Sequence, residues 1–209
     1  MIEIRRYVTR TGRDMVGDWL AGLDNQTRAR IAARIDRLAL GNFGDSKFLR
    51  EGVSELRIDW GPGFRVYYAM VARECVLLLH GGRQTQAVIR YSAGDHASEG
   101  LQGKDPQIMK RKPSISHEEA MVRELRENPD FAAEYLKAAL SDEEEPGVLL
   151  MALRRVAEAR GGIAKVAKAA GVQRESLYRA LSAKGNPRLS TLVAVTRAMG
   201  LKLTVEAGQ

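Results

Sequence analysis

A chain of 209 residues with 33 Lys and Arg against 26 Asp and Glu carries a net charge of +7, which favours polyanionic partners such as nucleic acid. Its apolar runs fall short of the roughly 20 residues of a spanning helix, and MIEIRRYVTR lacks the apolar core of a signal peptide, so a cytoplasmic protein with no membrane partner is expected. The lone Cys75 excludes an internal disulfide, and His80, His96 and His117 sit at no metal-ligand spacing, so neither a metal nor another cofactor is expected.

The length accommodates two small domains. IEIRRYV reads as a strand. From Asp14 to Leu40, Val16, Trp19, Leu20, Leu23, Ile31, Ile35 and Leu38 recur at three- and four-residue steps, and Gly22 to Asn25 divide the run into a helical hairpin. GNFGDSK is a turn-rich connection. SELRIDWGPGFRVYYAMV alternates with period two on either side of Gly61, Pro62 and Gly63, which makes it a β-hairpin. In its first arm Leu56 and Ile58 share one face while Glu55, Arg57 and Asp59 share the other; in its second, alternation puts one of Tyr67 and Tyr68 inside and the other out. ECVLLLH, nearly all apolar, is a central strand, with Cys75 as a small buried hydrophobe. Residues 1–92 therefore predict an α+β domain, two helices packed on one face of an antiparallel sheet.

After Arg83 the apolar density falls and Gly94, Ser98, Gly100, Gly103, Pro106 and Pro113 punctuate the chain, so residues 93–113 read as a linker. QAVIRYS, just before it, could still add a short element to the sheet. Residues 114–209 predict an all-α domain through SHEEAMVRELREN, NPDFAAEYLKAALSD, PGVLLMALRRVAEARGG and LSTLVAVTRAMG, with Asn128 and Pro129 as a capped helix start and Gly161 with Gly162 as a stop. Charge divides this half: Pro113–Glu145 holds three basic and ten acidic residues, Pro146–Gln209 eleven basic and three acidic. The acidic part is either a solvated face or a cover for a basic surface in residues 1–100.

IAKVAKAAGVQRESLYRALS, residues 163–182, matches the helix-turn-helix pattern. Ala167 is small where the second helix crosses, Gly171 suits the left-handed turn, and Val166, Val172, Leu177 and Ala180 are apolar where the helices pack. Gln173, Arg174, Glu175, Tyr178 and Arg179 are left at the front of the second helix and one turn on, where side chains meet base edges; Ser176 and Lys184 are placed for phosphates. A plain helical hairpin would not need the basic excess. One such unit reads only a few base pairs, so a homodimer on a palindromic operator is expected, and LKLTVEA predicts a short terminal strand able to pair across the dyad.

On these residues, and on NPDFAAEYLKAAL and GNPRLSTL beside them, the second half resembles the HigA-like addiction-module antidotes. RIAARIDRLALGNFGDSKFLREGVSELRIDWGPGFRVYY resembles the HigB-like killer proteins of the RelE and ParE superfamily through Gly41, Asn42, Gly44, Asp45 and Lys47 in the turn, Glu55, Leu56 and Arg57 in the strand, and Gly61 to Tyr68 in the hairpin. The departure is at GGRQTQAVIRYSAGDHASEG, where Arg83 replaces the Asp that opens the family's last helix, so that this element looks replaced by linker.

The resemblance to RelE implies metal-independent cleavage of messenger RNA, in which the ribose 2′-hydroxyl attacks its own phosphodiester. The catalytic candidates are Lys47, Arg57 and Arg65 for the phosphate, and Tyr68 or His80 to move protons or stack a base. Arg57 could instead pair with Glu55 or Asp59. The ParE branch acts on gyrase. The combined expectation is a fused toxin–antitoxin protein: a toxin domain neutralised by its tethered antidote, within one chain or exchanged in a dimer, whose helix-turn-helix represses its own operator. The alternatives are an active endoribonuclease meeting messenger RNA or the ribosome, and a DNA-binding or interaction protein with a degenerate toxin domain.

Overall fold

Asp-capped helical runs and period-two strands in the first 83 residues build a mixed α+β layer structure. The computed structural model describes residues 1–50, 52–71, 74–83, 114–182 and 184–205, which fall into two units, Met1–Ala120 and Met121–Gln209. In the first unit, strand β1 (Glu3–Tyr7) leads to helices α1 (Met15–Ala21) and α2 (Asn25–Ala39), then to β2 (Ser46–Arg50), β3 (Val53–Ile58), β4 (Phe64–Val71) and β5 (Cys75–Arg83). Both helices start at an aspartate: Asp14 accepts the Gly17 N–H at 2.8 Å and Asp24 the Thr27 N–H at 2.9 Å, each satisfying a donor with no partner inside the helix.

The sheet order is β2-β3-β4-β5-β1-β6, where β6 is Ser114–Ser116. The expected antiparallel sheet is in fact mixed, because β1 runs parallel to β5, from Glu3 opposite Cys75 to Arg6 opposite Leu78. Alternation within one strand is blind to direction, and a two-helix crossover leaves the direction of β1 free. A second correction concerns residues 114–116, where only helical patterning is expected. They pair antiparallel with the outer edge of β1, Tyr7 opposite Ser114 and Arg5 opposite Ser116. Three residues are too few to display a period. Arg5 fastens this edge, donating from Nε to Ser114 Oγ at 2.8 Å and from Nη2 to the Ser114 carbonyl at 3.0 Å. Arg6, buried, donates from Nε to Nδ1 of buried His117 at 2.9 Å. The expected linker and QAVIRYS lie outside the described residues.

One sheet face presents Leu56, Ile58, Phe64, Val66, Tyr68 and Leu78, all buried, and α1 packs here, with the Trp19 ring 6.4 Å from that of Phe64. Gly81 lies under Trp19 so closely that a Cβ would overlap the indole. The other face gathers Val53, Tyr67, Ala69, Val71, Leu77 and Leu79 into a second cluster, with Tyr7, Leu49 and half-buried Cys75 against it. Tyr67 and Tyr68 are therefore both inside, at 2% and 3% exposure, where alternation predicts only one. A strand buried on both faces hides every side chain whatever its parity.

Helix α3 (His117–Glu127) contributes its first turn to the first unit. The second unit continues with α4 (Pro129–Leu140), α5 (Gly147–Ala159), α6 (Ile163–Ala170), α7 (Arg174–Ala180) and α8 (Leu189–Ala198). Asn128 caps α4 by accepting the Phe131 N–H at 2.9 Å, and Gly161 and Gly162 end the turn after α5 with φ of 105° and 96°. Helix α6 packs on α5, α7 and α8. Leu201–Val205 form no strand, since a lone extended segment has no neighbouring N–H and C=O groups to pair with; the rest of LKLTVEA lies outside the described residues. Among the described residues no helix is long and apolar enough to cross a membrane.

Candidate functional site

Cross-strand pairing decides which candidate residues meet, because directly opposed side chains share a face. Lys47 lies opposite Glu55, Glu55 opposite Tyr67, Arg57 opposite Arg65, and Tyr67 opposite His80. Lys47, Arg57, Arg65 and His80 thus share one face, with Glu55 and Tyr67 among them. His80 joins them only because of a bulge: Tyr67 pairs with His80 and Tyr68 with Leu78, which leaves Leu79 as the extra residue on β5. A bulge turns the next side chain to the face that strict alternation would deny it. Tyr68 is corrected out of the group. It lies on the opposite face, stacked with its ring centroid 6.2 Å from that of Phe43.

Arg57 and Arg65 face each other across the ladder, a placement that like charge opposes. The carboxylate of Glu55, itself 8% exposed, resolves it: Oε1 lies 3.1 Å from Arg57 Nε and 3.7 Å from Arg65 Nε, while Oε2 accepts the Tyr67 hydroxyl at 3.1 Å. Asp45 approaches Arg57 at 3.8 Å and Asp59 approaches Arg65 at 3.5 Å, so Asp59 pairs with Arg65 and not, as the sequence allows, with Arg57. The Glu55 hydrogen bond, helped by the charges of Asp45, Glu55 and Asp59, holds the Arg57 pKa above its already high ordinary value. Arg65 is 7% exposed, Arg57 and His80 are half-buried, and Lys47 is exposed. Both Nε groups face the same carboxylate oxygen, so the positive charge gathered on this face is answered by the protein's own side chain.

In the second unit Gly171 ends α6 with φ 68° and ψ 27°, the left-handed conformation, and the Val172 N–H returns to the Ala167 carbonyl at 3.0 Å. Ala167, Val166 and Leu177 are buried between the helices, whereas Val172 and Ala180 are half-buried. Gln173, Arg174, Glu175, Ser176, Arg179 and Lys184 are exposed and Tyr178 half-buried. The Tyr178 ring has the Arg174 guanidinium 5.5 Å from its centroid and that of Arg154, from α5, at 5.7 Å. Among the described residues, no group of three His, Cys, Asp or Glu side chains is placed to hold a metal ion.

Residues 18–99 match the family described as Phage derived protein Gp49-like, and residues 118–207 the family described as Probable addiction module antidote protein. The two matches, one to each half of a single polypeptide, support a toxin–antitoxin fusion. Two Haemophilus influenzae relatives, each described as an uncharacterized protein, are 51% identical over 65 residues and 39% identical over 72. These alignments cover 31% and 34% of this chain, and 66% and 72% of the relatives. No solved structure matches the chain.

The arginine face lies within the Gp49-like half of the fusion, and Gln173 to Lys184 within the antidote half. Strand β6 falls between the two matched segments. Sequence patterning passes over Glu55 as the hub of the arginine face, over Tyr67 as its hydroxyl donor, and over Arg154. For Glu55 the available signal is its place two residues before Arg57 on the same strand face; for Arg154, a charge in mid-helix beside a second arginine.

Proposed function

We propose that the fusion is a self-neutralised toxin–antitoxin protein of the HigB and HigA kind, whose antidote half binds operator DNA through a helix-turn-helix formed by α6 and α7 and represses its own promoter. The observation that carries this reading is the state of the basic residues on α7. Arg174 and Arg179 are exposed and, among the described residues, without a carboxylate partner, and Lys184, beyond the end of α7, is exposed as well. Cations left bare in this way suit a polyanion. Gln173, Glu175 and Tyr178 stand at base-reading positions in this scheme, with Ser176 and Lys184 at phosphates. The protein is then a homodimer on a palindrome. The purified chain should retard a duplex from its own promoter, and Arg174→Ala with Arg179→Ala should abolish the shift. Equal retardation by this variant removes α7 as the reader.

A second activity is favoured by the gathering of Lys47, Arg57, Arg65 and His80 on one face: a latent metal-independent endoribonuclease. The two arginines would take the scissile phosphate and His80 would carry the proton. Expression of Met1–Ala120 should arrest growth where the full chain does not, and Arg57→Ala with Arg65→Ala should relieve the arrest. Growth unaffected by the unit points to a silent toxin half or, with gyrase as the alternative target, to a face that has lost its partner.

A further inference from the structure

We infer that Arg154, in α5 and outside the two-helix reader, is a phosphate-contacting residue of the DNA surface, held in place by Tyr178. This rests on the assignment of α7 as the DNA-reading helix. Arg174 and Tyr178 are four residues apart on α7 and so share a helix face. The Arg154 guanidinium lies 5.7 Å from the same ring that Arg174 meets at 5.5 Å. The two cations are therefore at most about 11 Å apart, close to one screening length at ordinary salt.

Such a pair repels itself unless an anion answers it. Arg154 is half-buried and, among the described residues, neither it nor Arg174 has a carboxylate partner. The contrast with its neighbour is instructive. Arg155, 3% exposed, turns into the core and donates from Nη1 to the Tyr135 hydroxyl at 2.7 Å. On the sheet of the first unit, Arg57 and Arg65 are answered by Glu55. Among the described residues the Arg154–Tyr178–Arg174 group has no such internal anion. The ring orients both forks and limits the entropy they lose on binding, and its cation–π attraction holds the charges ready without neutralising them. A separation of at most about 11 Å leaves both within reach of phosphates on one DNA strand, which rise about 3.4 Å apiece along the helix axis.

The test measures full-length protein, by fluorescence anisotropy, on two duplexes of equal length: the promoter fragment upstream of its own coding sequence and a scrambled sequence. Arg154→Ala should weaken binding to both by a similar factor, about fivefold to tenfold, and reduce the slope of log affinity against log salt by about 1. Arg154→Lys, which keeps the charge, should keep the wild-type slope, and unchanged melting of both variants shows that the fold is intact. If Arg154→Ala destabilises the protein, Arg154→Gln takes its place with the same expected slope. Wild-type affinity and slope in the Ala or Gln variant, with DNA still bound, overturns the role of Arg154 alone. Failure of the wild-type chain to bind either duplex at 50 mM salt overturns the α7 assignment and this inference with it.

Discussion

Single side chains in this protein are sorted by what neutralises them. Glu55 serves two arginines and a tyrosine, so Glu55→Gln leaves Arg57 and Arg65 opposed with no shared carboxylate. The variant should melt about 5 °C lower, and inorganic phosphate should restore part of the loss where chloride at equal ionic strength does not. Thermal melts in the two salts read this directly. Tyr135→Phe removes the hydroxyl that accepts from buried Arg155, and loss of a hydrogen bond to a charged group should cost about 1.5–3 kcal/mol by urea denaturation. Asp24 offers a pH test. The Thr27 hydroxyl, at 2.6 Å, and the Thr27 N–H hold the Asp24 pKa below its ordinary 3.8. Its contribution is therefore complete above that ordinary value and disappears as pH falls through the lower, folded-state one. Asp24→Ala should cost about 1 kcal/mol at pH 7, with the gap to wild type closing in strong acid.

At the level of elements, what could be read from sequence is what leaves a periodic mark. The helical hairpin from Asp14 to Leu40, the β3–β4 hairpin and the glycine-bounded helix pair all carry such marks, and all three form. The direction of β1, the extra residue at Leu79 and the three-residue β6 leave none. Each is decided by which backbone groups meet across the sheet, a tertiary fact. The consequence for the arginine face is concrete: strict alternation separates His80 from Leu77 and Leu79, and only the bulge returns it to the side of Tyr67. Tyr68 was equally eligible by pattern and went to the other face. Gly81 is a further case, because in β5 its missing Cβ makes room for Trp19, a tertiary contact that leaves no period in the sequence. Gly81→Ala should destabilise the first unit by about 1–3 kcal/mol, and Trp19→Leu in the same chain should recover part of that in a double-mutant cycle.

The whole molecule divides later along the chain than composition suggests. Low apolar density marks the break well before residue 114, yet Ser114–Ser116 and His117 complete the sheet and the buried surroundings of Arg6. A fragment ending at Gly100 leaves the edge of β1 bare and takes His117 away from Arg6. It should be less stable than Met1–Ala120 by urea denaturation and more prone to aggregate through that edge. Equal midpoints for the two fragments would show β6 to be dispensable.

A covalent tether is usually regarded as the only thing keeping joined halves together. Here the polypeptide downstream of residues 84–113 begins by knitting itself into the upstream sheet, three residues deep and clasped by Arg5 and Arg6. Severing the backbone anywhere in that interval creates two chains, but they come apart only once β6 is peeled from β1. Separating the two resulting chains therefore requires opening a sheet edge as well as breaking a peptide bond.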